Sequence, residues 1–333
     1  MMKQRNAPYL FIAALFALGA LIPLVLKPYH VNMLTEIIVF ALYAVSYNLL
    51  LGYAGLLSFG HAMFFGMGAF TVAVSLIHIP GLSMWGAIGL ALAMTTAVGF
   101  VAGGLLLRHK GSYFALLTLA FNSLFYAVAT KWHSVTGGDD GLSITRPELA
   151  LGFTTINLAG IESFYYFTLV TVGAALVFCW YFTQTAMGKT VLMMRENEER
   201  MKFLGYNTNV SRLILFTFTG AVAGLAGAFY TLHFQFCSQS AISVDMTTTV
   251  LLMTFVGGTG TFWGPMLGAF VYVILQNYLS DITDRWPLFM GLIFVFMVLF
   301  IPGGLTQIIQ SVKALLAGKR GTGNPIEAKE ISS

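Results

Sequence analysis

Two stretches of this 333-residue chain carry residue types that do chemistry in other settings. Gly188-Lys189-Thr190 matches the close of a phosphate-binding loop, and Gly55-Leu-Leu-Ser58-Phe-Gly60-His61 sets a hydroxyl and an imidazole three residues apart. A phosphate loop also needs a glycine where Thr183 stands and a strand before it, but an apolar helical segment precedes this one. A serine nucleophile turn needs glycine at the position of Leu56, and His61 is too close in sequence to be an independently placed base. Ser58 and His61 therefore read as polar lining residues, and the chain is expected neither to bind ATP nor to be an enzyme. No His, Cys, Asp or Glu cluster has metal-ligand spacing, so no metal site is expected. Cys179 and Cys237 sit in apolar runs and read as core residues, not a redox pair.

What remains is a pair of glycine-rich breaks. Gly52-Tyr-Ala-Gly55-Leu-Leu-Ser58-Phe-Gly60-His61 leads into Gly66-Met-Gly68, and Gly257-Gly258-Thr259-Gly260-Thr-Phe-Trp263-Gly264-Pro265 leads into Gly268. In lipid, irregular backbone survives only where protein or a water-filled cavity satisfies it, and broken helices in two parts of a transporter point to a solute route. Gly52, Gly55, Ser58, Gly60, His61, Gly257, Gly258, Thr259 and Gly260 are the candidate pathway residues. Close helix packing through small residues explains the same glycines equally well, and it accounts for the continuous small face Gly220-Ala-Val-Ala-Gly224-Leu-Ala-Gly227.

The elements that position these residues must be membrane helices. Only 9% of the residues are charged, 57% are apolar and the mean hydropathy is +0.80. A soluble domain carries about 25% charged residues, so a soluble enzyme, a nucleic-acid-binding domain and a secreted disulfide scaffold are excluded. Apolar runs near the length of about 20 residues needed to span lipid are Tyr9–Leu26, Met33–Leu51, His61–Ile77, Met84–Leu107, Tyr113–Thr130, Phe164–Phe182, Leu213–Phe234, Pro265–Leu279 and Pro287–Ile301. Met246–Val256 is a tenth span or a half-helix. The first run reads as a retained helix, being long for a signal peptide. With the N-terminus inside, 13 of the 17 Lys and Arg residues fall in cytoplasmic segments, which puts both termini in the cytoplasm. Residues 1–310 form one polytopic domain, and 311–333 read as a disordered cytoplasmic tail.

Two loops are long. Residues 131–163 face outside and hold the turn-forming Thr136-Gly137-Gly138-Asp139-Asp140-Gly141. Residues 183–212 face inside with the densest charge in the chain. There Met187, Val191, Met194, Met201 and Leu204 trace one face of a short amphipathic helix. Ringed by both acids and bases, it is expected to dock on a partner protein and not on anionic lipid. A carrier driven by an ion gradient normally has carboxylates at mid-membrane. Glu36, Asp245 and His233 fall near span ends and read as interfacial, so the energy is expected to come from elsewhere.

The chain resembles a known family. Glu199 to Gly205 has the spacing of the E-A-A-x-x-x-G loop of ATP-binding cassette (ABC) importer permeases, with Arg200 and Met201 in place of the alanines. Gly52-Tyr-Ala-Gly-Leu-Leu-Ser-Phe-Gly-His61, Gly111-Ser-Tyr-Phe-Ala-Leu-Leu-Thr-Leu-Ala120, Thr136–Gly141, Arg195-Glu-Asn-Glu198, Gly224-Leu-Ala-Gly-Ala228 and Val256-Gly-Gly-Thr-Gly260 are similar, in that order, to LivM-type permeases of branched-chain amino acid importers. That family also covers urea, amide and aromatic-acid importers.

The resemblance implies an all-α bundle of about ten transmembrane helices, some broken, in a bacterial inner membrane. The later helices are expected to repeat the earlier set in inverted orientation. The implied partners are a second homologous permease, two ATPases carrying ATP-Mg and a periplasmic solute-binding protein; this chain would hold no cofactor itself. Gly188, Arg195, Glu196, Asn197, Glu199 and Gly205 would couple to the ATPases, and Gly137, Gly138, Asp139 and Asp140 would dock the binding protein. The rival class is a stand-alone channel or ion-coupled carrier.

Overall fold

The computed structural model describes residues 19–24, 26–150, 155–301 and 303–316. The expected first span, Tyr9–Leu26, and the tail beyond Leu316 lie largely or wholly outside the described residues. The other nine apolar runs each coincide with a helix: α1 (Pro28–Asn48, continued by a wide π-helical turn at Leu49–Tyr53), α2 (Ala62–His78), α3 (Met84–Leu106), α4 (Ser112–Lys131), α6 (Ile161–Gln184), α9 (Thr208–Phe234), α10 (Val244–Gly257), α11 (Gly264–Ile282) and α12 (Trp286–Phe300). The connecting helices are α5 (His133–Thr136), α7 (Ala186–Glu196) and α8 (Glu198–Phe203), and α13 (Gly304–Leu316) follows the bundle across the expected boundary at 310. Four two-residue strands pair as two small antiparallel ladders: β1 (Leu142–Ser143) with β4 (Phe236–Cys237), and β2 (Leu149–Ala150) with β3 (Thr155–Ile156).

Eight of these nine helices fall into two kinds, with α11 in neither. α1 with its wide turn, α3, α4, α6 and α9 are long and apolar enough to cross a membrane. α2, α10 and α12 are apolar but shorter. Helix starts follow local chemistry: Ser83, Asn207 and Ser243 each accept a hydrogen bond from a backbone N–H in the first turn of α3, α9 and α10, and proline opens α1, α11 and α12.

α1 is the central helix, 78% buried over its most apolar stretch, because its side chains are apolar on every face from Ile37 to Leu50 apart from Ser46 and Asn48. α9 is 61% buried, whereas α3 and α4 are 33% and 28% buried and turn Phe100, Leu105, Leu116 and Leu124 outward. The small face of α9 packs as its spacing predicts. α2 lies on it so closely that a side chain at Gly227 would strike the Phe65 carbonyl, and one at Gly68 the Gly224 backbone.

Two series of helices run in opposite directions. α1 ends, and α9 begins, at the end of the bundle that carries Arg195. Each is followed by an irregular segment and a shorter helix, α2 or α10, whose N-termini meet inside the bundle.

Gly227→Leu should therefore force α2 and α9 apart and cost about 1–3 kcal/mol or more, read as a lowered melting temperature in detergent. Gly104→Leu, on a face with nothing within 4 Å of an added side chain, should melt with the wild type. Equal behaviour of the two variants would mean that the close approach does not hold the bundle together.

Candidate functional site

The first break begins where α1 widens. Gly55 N–H donates to the Leu51 carbonyl at 3.0 Å and Leu56 N–H to the Leu50 carbonyl at 3.1 Å, and the chain leaves the helix at Gly55 with φ +68°, a conformation that disfavours any side chain. It then folds back into the bundle, so that His61 stands level with Ser46, about 10 Å in from Tyr53 by helix rise. Tyr47 Oη donates to the Ser58 carbonyl, Ser46 Oγ and His61 Nε2 are hydrogen-bonded, both at 3.0 Å, and Phe59 N–H donates to Thr118 Oγ1 at 3.1 Å. The His61 ring stacks on Tyr43, meets Tyr47 and Phe64 edge-on, and is fully buried.

The second break meets the first. Ala62 N–H at the start of α2 donates to Thr247 Oγ1 in α10 at 3.0 Å. At the far end of α10, Asn48 Nδ2 donates to the Thr261 carbonyl at 3.1 Å, and Gly52 lies against the Thr259 carbonyl. Segments some 200 residues apart in sequence thus form one assembly. Within it Gly52, Gly60, Gly257 and Gly258 are tight backbone approaches to Thr259, Thr118, Gly264 and Gly303, Ser58 and His61 are buried, and Gly55 and Gly260 are exposed. Beside the first break a half-open cavity of about 390 Å³ is lined by Gly55, Leu56, Leu57 and Phe59 on one wall and by Gly111 and Phe114 on the other.

Sequence reasoning missed the side chains that hold this assembly: Ser46, Asn48, Thr118, Asn122 and Thr247. Asn122, fully buried, donates to the Ile242 carbonyl at 2.8 Å and so fixes the segment between α9 and α10. Their signal in the sequence is that of neutral polar residues within or beside apolar runs. Glu36 lies two turns into α1, half-buried and facing Asn277.

The 183–212 segment forms two helices. Thr185 caps α7 by accepting from Gly188 N–H at 3.3 Å, and Asn197 ends α7 and caps α8 by accepting from Arg200 N–H at 2.9 Å. The expected continuous apolar face is therefore split, and it is not free: Val191 and Met194 are buried against the chain's own helices, as is Met201, and only Leu204 is exposed. The reason is geometric: a side chain at Gly188 would strike the Phe182 carbonyl, so α7 turns back tightly against the end of α6, and Val191 comes to rest beside Leu49, Tyr53 and Leu215. Glu196, Glu199 and Arg200 point outward, as does an apolar tip of Phe203 (89% exposed), Leu204 and Tyr206. Gly205 makes the sharp exit expected of it: at φ +84° its N–H donates to the Lys202 carbonyl at 2.9 Å, and Tyr206 N–H to the Met201 carbonyl at 3.1 Å. Arg195 is exposed as well, yet its Nη1 reaches back to donate to the Gly52 carbonyl.

Glu198 pins the pair of helices. It accepts from Lys110 at 2.7 Å, Lys202 at 3.1 Å and Arg212 at 2.5 Å. Burial works to raise its carboxyl, but hydrogen bonds from Lys110, Arg212 and Lys202 and the Arg212 charge outweigh it and hold the group at about 2.

At the opposite end Gly137 and Gly138 form a tight turn that leaves Asp139 and Asp140 exposed. Arg146 clamps the end of α9 there, donating to the Leu232 and His233 carbonyls at 2.6 and 2.5 Å with its guanidinium 4.0 Å over the Phe164 ring.

Residues 29–301 match a family described as branched-chain amino acid transport system / permease component. The chain is 28% identical to the high-affinity branched-chain amino acid transport system permease protein LivM of Escherichia coli, over 89% of this chain and 74% of that one. It is 27% identical to the protein of the same name in Salmonella typhimurium, over 93% and 77%. The autoinducer 2 import system permease protein LsrC of Salmonella choleraesuis is 27% identical over 57% of this chain and 54% of its own. No solved structure matches.

Glu198→Gln keeps the shape of the clamp and removes its charge. Near neutral pH it should cost about 1–3 kcal/mol, mostly through Arg212, because Lys110 and Lys202 are half-exposed and screened. The folded carboxyl lies below its ordinary 4.5, so its contribution is complete above that pH and fades as pH falls towards about 2. The gap in melting temperature between wild type and variant should then be steady near neutrality and close in acid. No gap at any pH would mean that Glu198 acts by shape alone.

Proposed function

Because the chain belongs to the family of permease components of branched-chain amino acid transport systems, we propose that it forms the solute route of an ATP-driven importer for branched-chain amino acids or related small polar solutes. It is a multi-pass membrane protein and a transport subunit, not an enzyme. The observation that carries the reading is the family match across nearly the whole described bundle, joined to a loop helix pair that reaches from the surface to a broken membrane helix.

On this reading the chain sits in a bacterial inner membrane with both termini in the cytoplasm, paired with a second homologous permease. The cavity beside Gly55 and Phe59 opens on the flank of the bundle, next to α4, the least buried of the long helices. That placement supports a route shared between two permeases: the partner would close the flank, and the Gly52–His61 and Gly257–Gly260 segments would form this chain's wall. Two ATPases with ATP-Mg would grip the α7–α8 surface, where Phe203, Leu204 and Tyr206 offer apolar anchors and Glu196, Glu199 and Arg200 a charged rim. A periplasmic binding protein would deliver solute against Gly137–Asp140, whose two carboxylates are exposed. The related LsrC belongs to a system importing a different solute, in keeping with specificity set largely by the binding protein.

The test is reconstitution of the chain with its second permease and ATPases in liposomes. Binding protein loaded with leucine should stimulate ATP hydrolysis and drive labelled leucine inward. Phe203→Asp should cut the ATPase recovered with the permease by about tenfold or more without lowering the permease's own melting temperature. Uptake that needs neither ATPase nor binding protein would overturn the reading in favour of a stand-alone carrier.

A further inference from the structure

The last turn of any helix leaves carbonyls without backbone donors, at the negative end of the helix dipole. At the end of α1 the wide turn already uses the Leu50 and Leu51 carbonyls, and the next ones have no helix to continue into. The Gly52 carbonyl is taken by Arg195, which arrives from α7, 143 positions along the chain. The side chain does more than cap: its stem lies over Gly55, so that a Cβ there would stand 3.3 Å from Arg195 Cγ. One turn earlier on the same face of α7, Val191 packs with Leu49 and Tyr53. Two successive turns of α7 therefore hold the broken end of α1, one by apolar contact and one by a charged donor.

We propose that Arg195 is a positioning strut: it ties the α7–α8 helices to the Gly52–Gly55 turn and so sets the position of the wall formed by Gly55, Leu56, Leu57 and Phe59. The mechanical argument is local. Between Gly55 and the start of α2 the chain has no repeating backbone hydrogen bonds, and it is anchored inward at Ser58, Phe59 and His61. Displacing the Gly52 end against those anchors bends the segment between them, and that segment is the cavity wall. A guanidinium suits the task because it is always charged and offers several donors in a fixed plane. Arg195, placed among ATPase contacts on sequence grounds, is exposed, but by this geometry its guanidinium is spent on a link within the chain, and the ATPase-facing role falls to Phe203 and its neighbours.

The inference rests on the importer reading for its functional consequence but not for its structural one, and two measurements separate them. In the purified chain alone, Arg195→Ala should speed amide exchange across residues 52–57 by about tenfold or more and leave α2 and α9 unchanged. In the reconstituted complex the same variant should keep its ATPases and hydrolyse ATP, while leucine taken up per ATP falls by about tenfold; Arg195→Lys, which keeps a donor and the stem, should recover part of it. Unchanged exchange in the isolated chain would overturn the strut. Uptake per ATP equal to wild type would overturn its role in coupling, and so would loss of uptake, ATPase binding and melting temperature together. If the wild-type chain recruits no ATPase, the importer reading falls while the exchange measurement still decides the strut.

Discussion

Backbone amides and carbonyls cannot be left bare in lipid, and this constraint governs every irregular part of the molecule. The chain breaks its helices twice inside a largely apolar bundle, and several of the freed groups are met by side chains from distant segments. Thr118 takes the Phe59 N–H, Thr247 the Ala62 N–H, Asn48 reaches the Thr261 carbonyl, Asn122 the Ile242 carbonyl and Arg195 the Gly52 carbonyl. The buried members, Asn48, Thr118, Asn122 and Thr247, are neutral and stabilise irregular backbone in a low-dielectric interior, whereas Arg195 acts at the exposed end of the bundle. Removing any one leaves a buried group unpaired, which costs more than the hydrogen bond itself contributes.

The glycines serve the same end from the other side. Gly52, Gly60, Gly257 and Gly258 bring backbones close enough that short side chains can bridge them, and Gly68, Gly224 and Gly227 lock α2 onto α9. Packing and pathway are therefore not rival accounts of these residues. The close approaches hold α2 on α9, whereas the segment from Gly55 to the start of α2 carries no repeating backbone hydrogen bonds and is held at a few anchor points. Rigidity on one side concentrates any movement on the other.

Much of this was legible in the sequence. Hydropathy marks the helical segments, and the glycine clusters mark both breaks, because backbone that turns or touches backbone needs residues without side chains. The exit at Gly205 and the turn at Gly137 and Gly138 were readable for the same reason. Two features were not. The apolar face of Val191, Met194 and Met201 has the period of a docking helix, yet periodicity says only that a face is covered, not whether the cover is a partner or the chain's own bundle; Gly188 and Asn197 decide it, by a close approach and a cap visible only in three dimensions. Likewise Asn48, Asn122 and Thr247 are scattered through apolar runs, and nothing local tells that each faces a carbonyl or amide more than a hundred residues away.

The two ends of the bundle are fastened in physically different ways. Arg146 holds the end of α9 through backbone carbonyls and the face of Phe164, contacts that are half-buried and made to groups that cannot move independently of the helix. The Arg195 end is fastened by side chains to side chains: Lys110 and Lys202 reach Glu198 from solvent, where exposed ion pairs are worth up to about 1 kcal/mol each. Arg212 is the one well-shielded member of that group. A load applied near Phe203 therefore meets a clamp that yields in steps, exposed pairs first, while the opposite end stays fixed. On the importer reading this asymmetry lets the α7–α8 helices shift without dissolving the bundle, and it directs the shift into the two contacts that tie α7 to the first break, Val191 on Leu49 and Tyr53 and Arg195 on the Gly52 carbonyl, and from there to the wall beside Phe59.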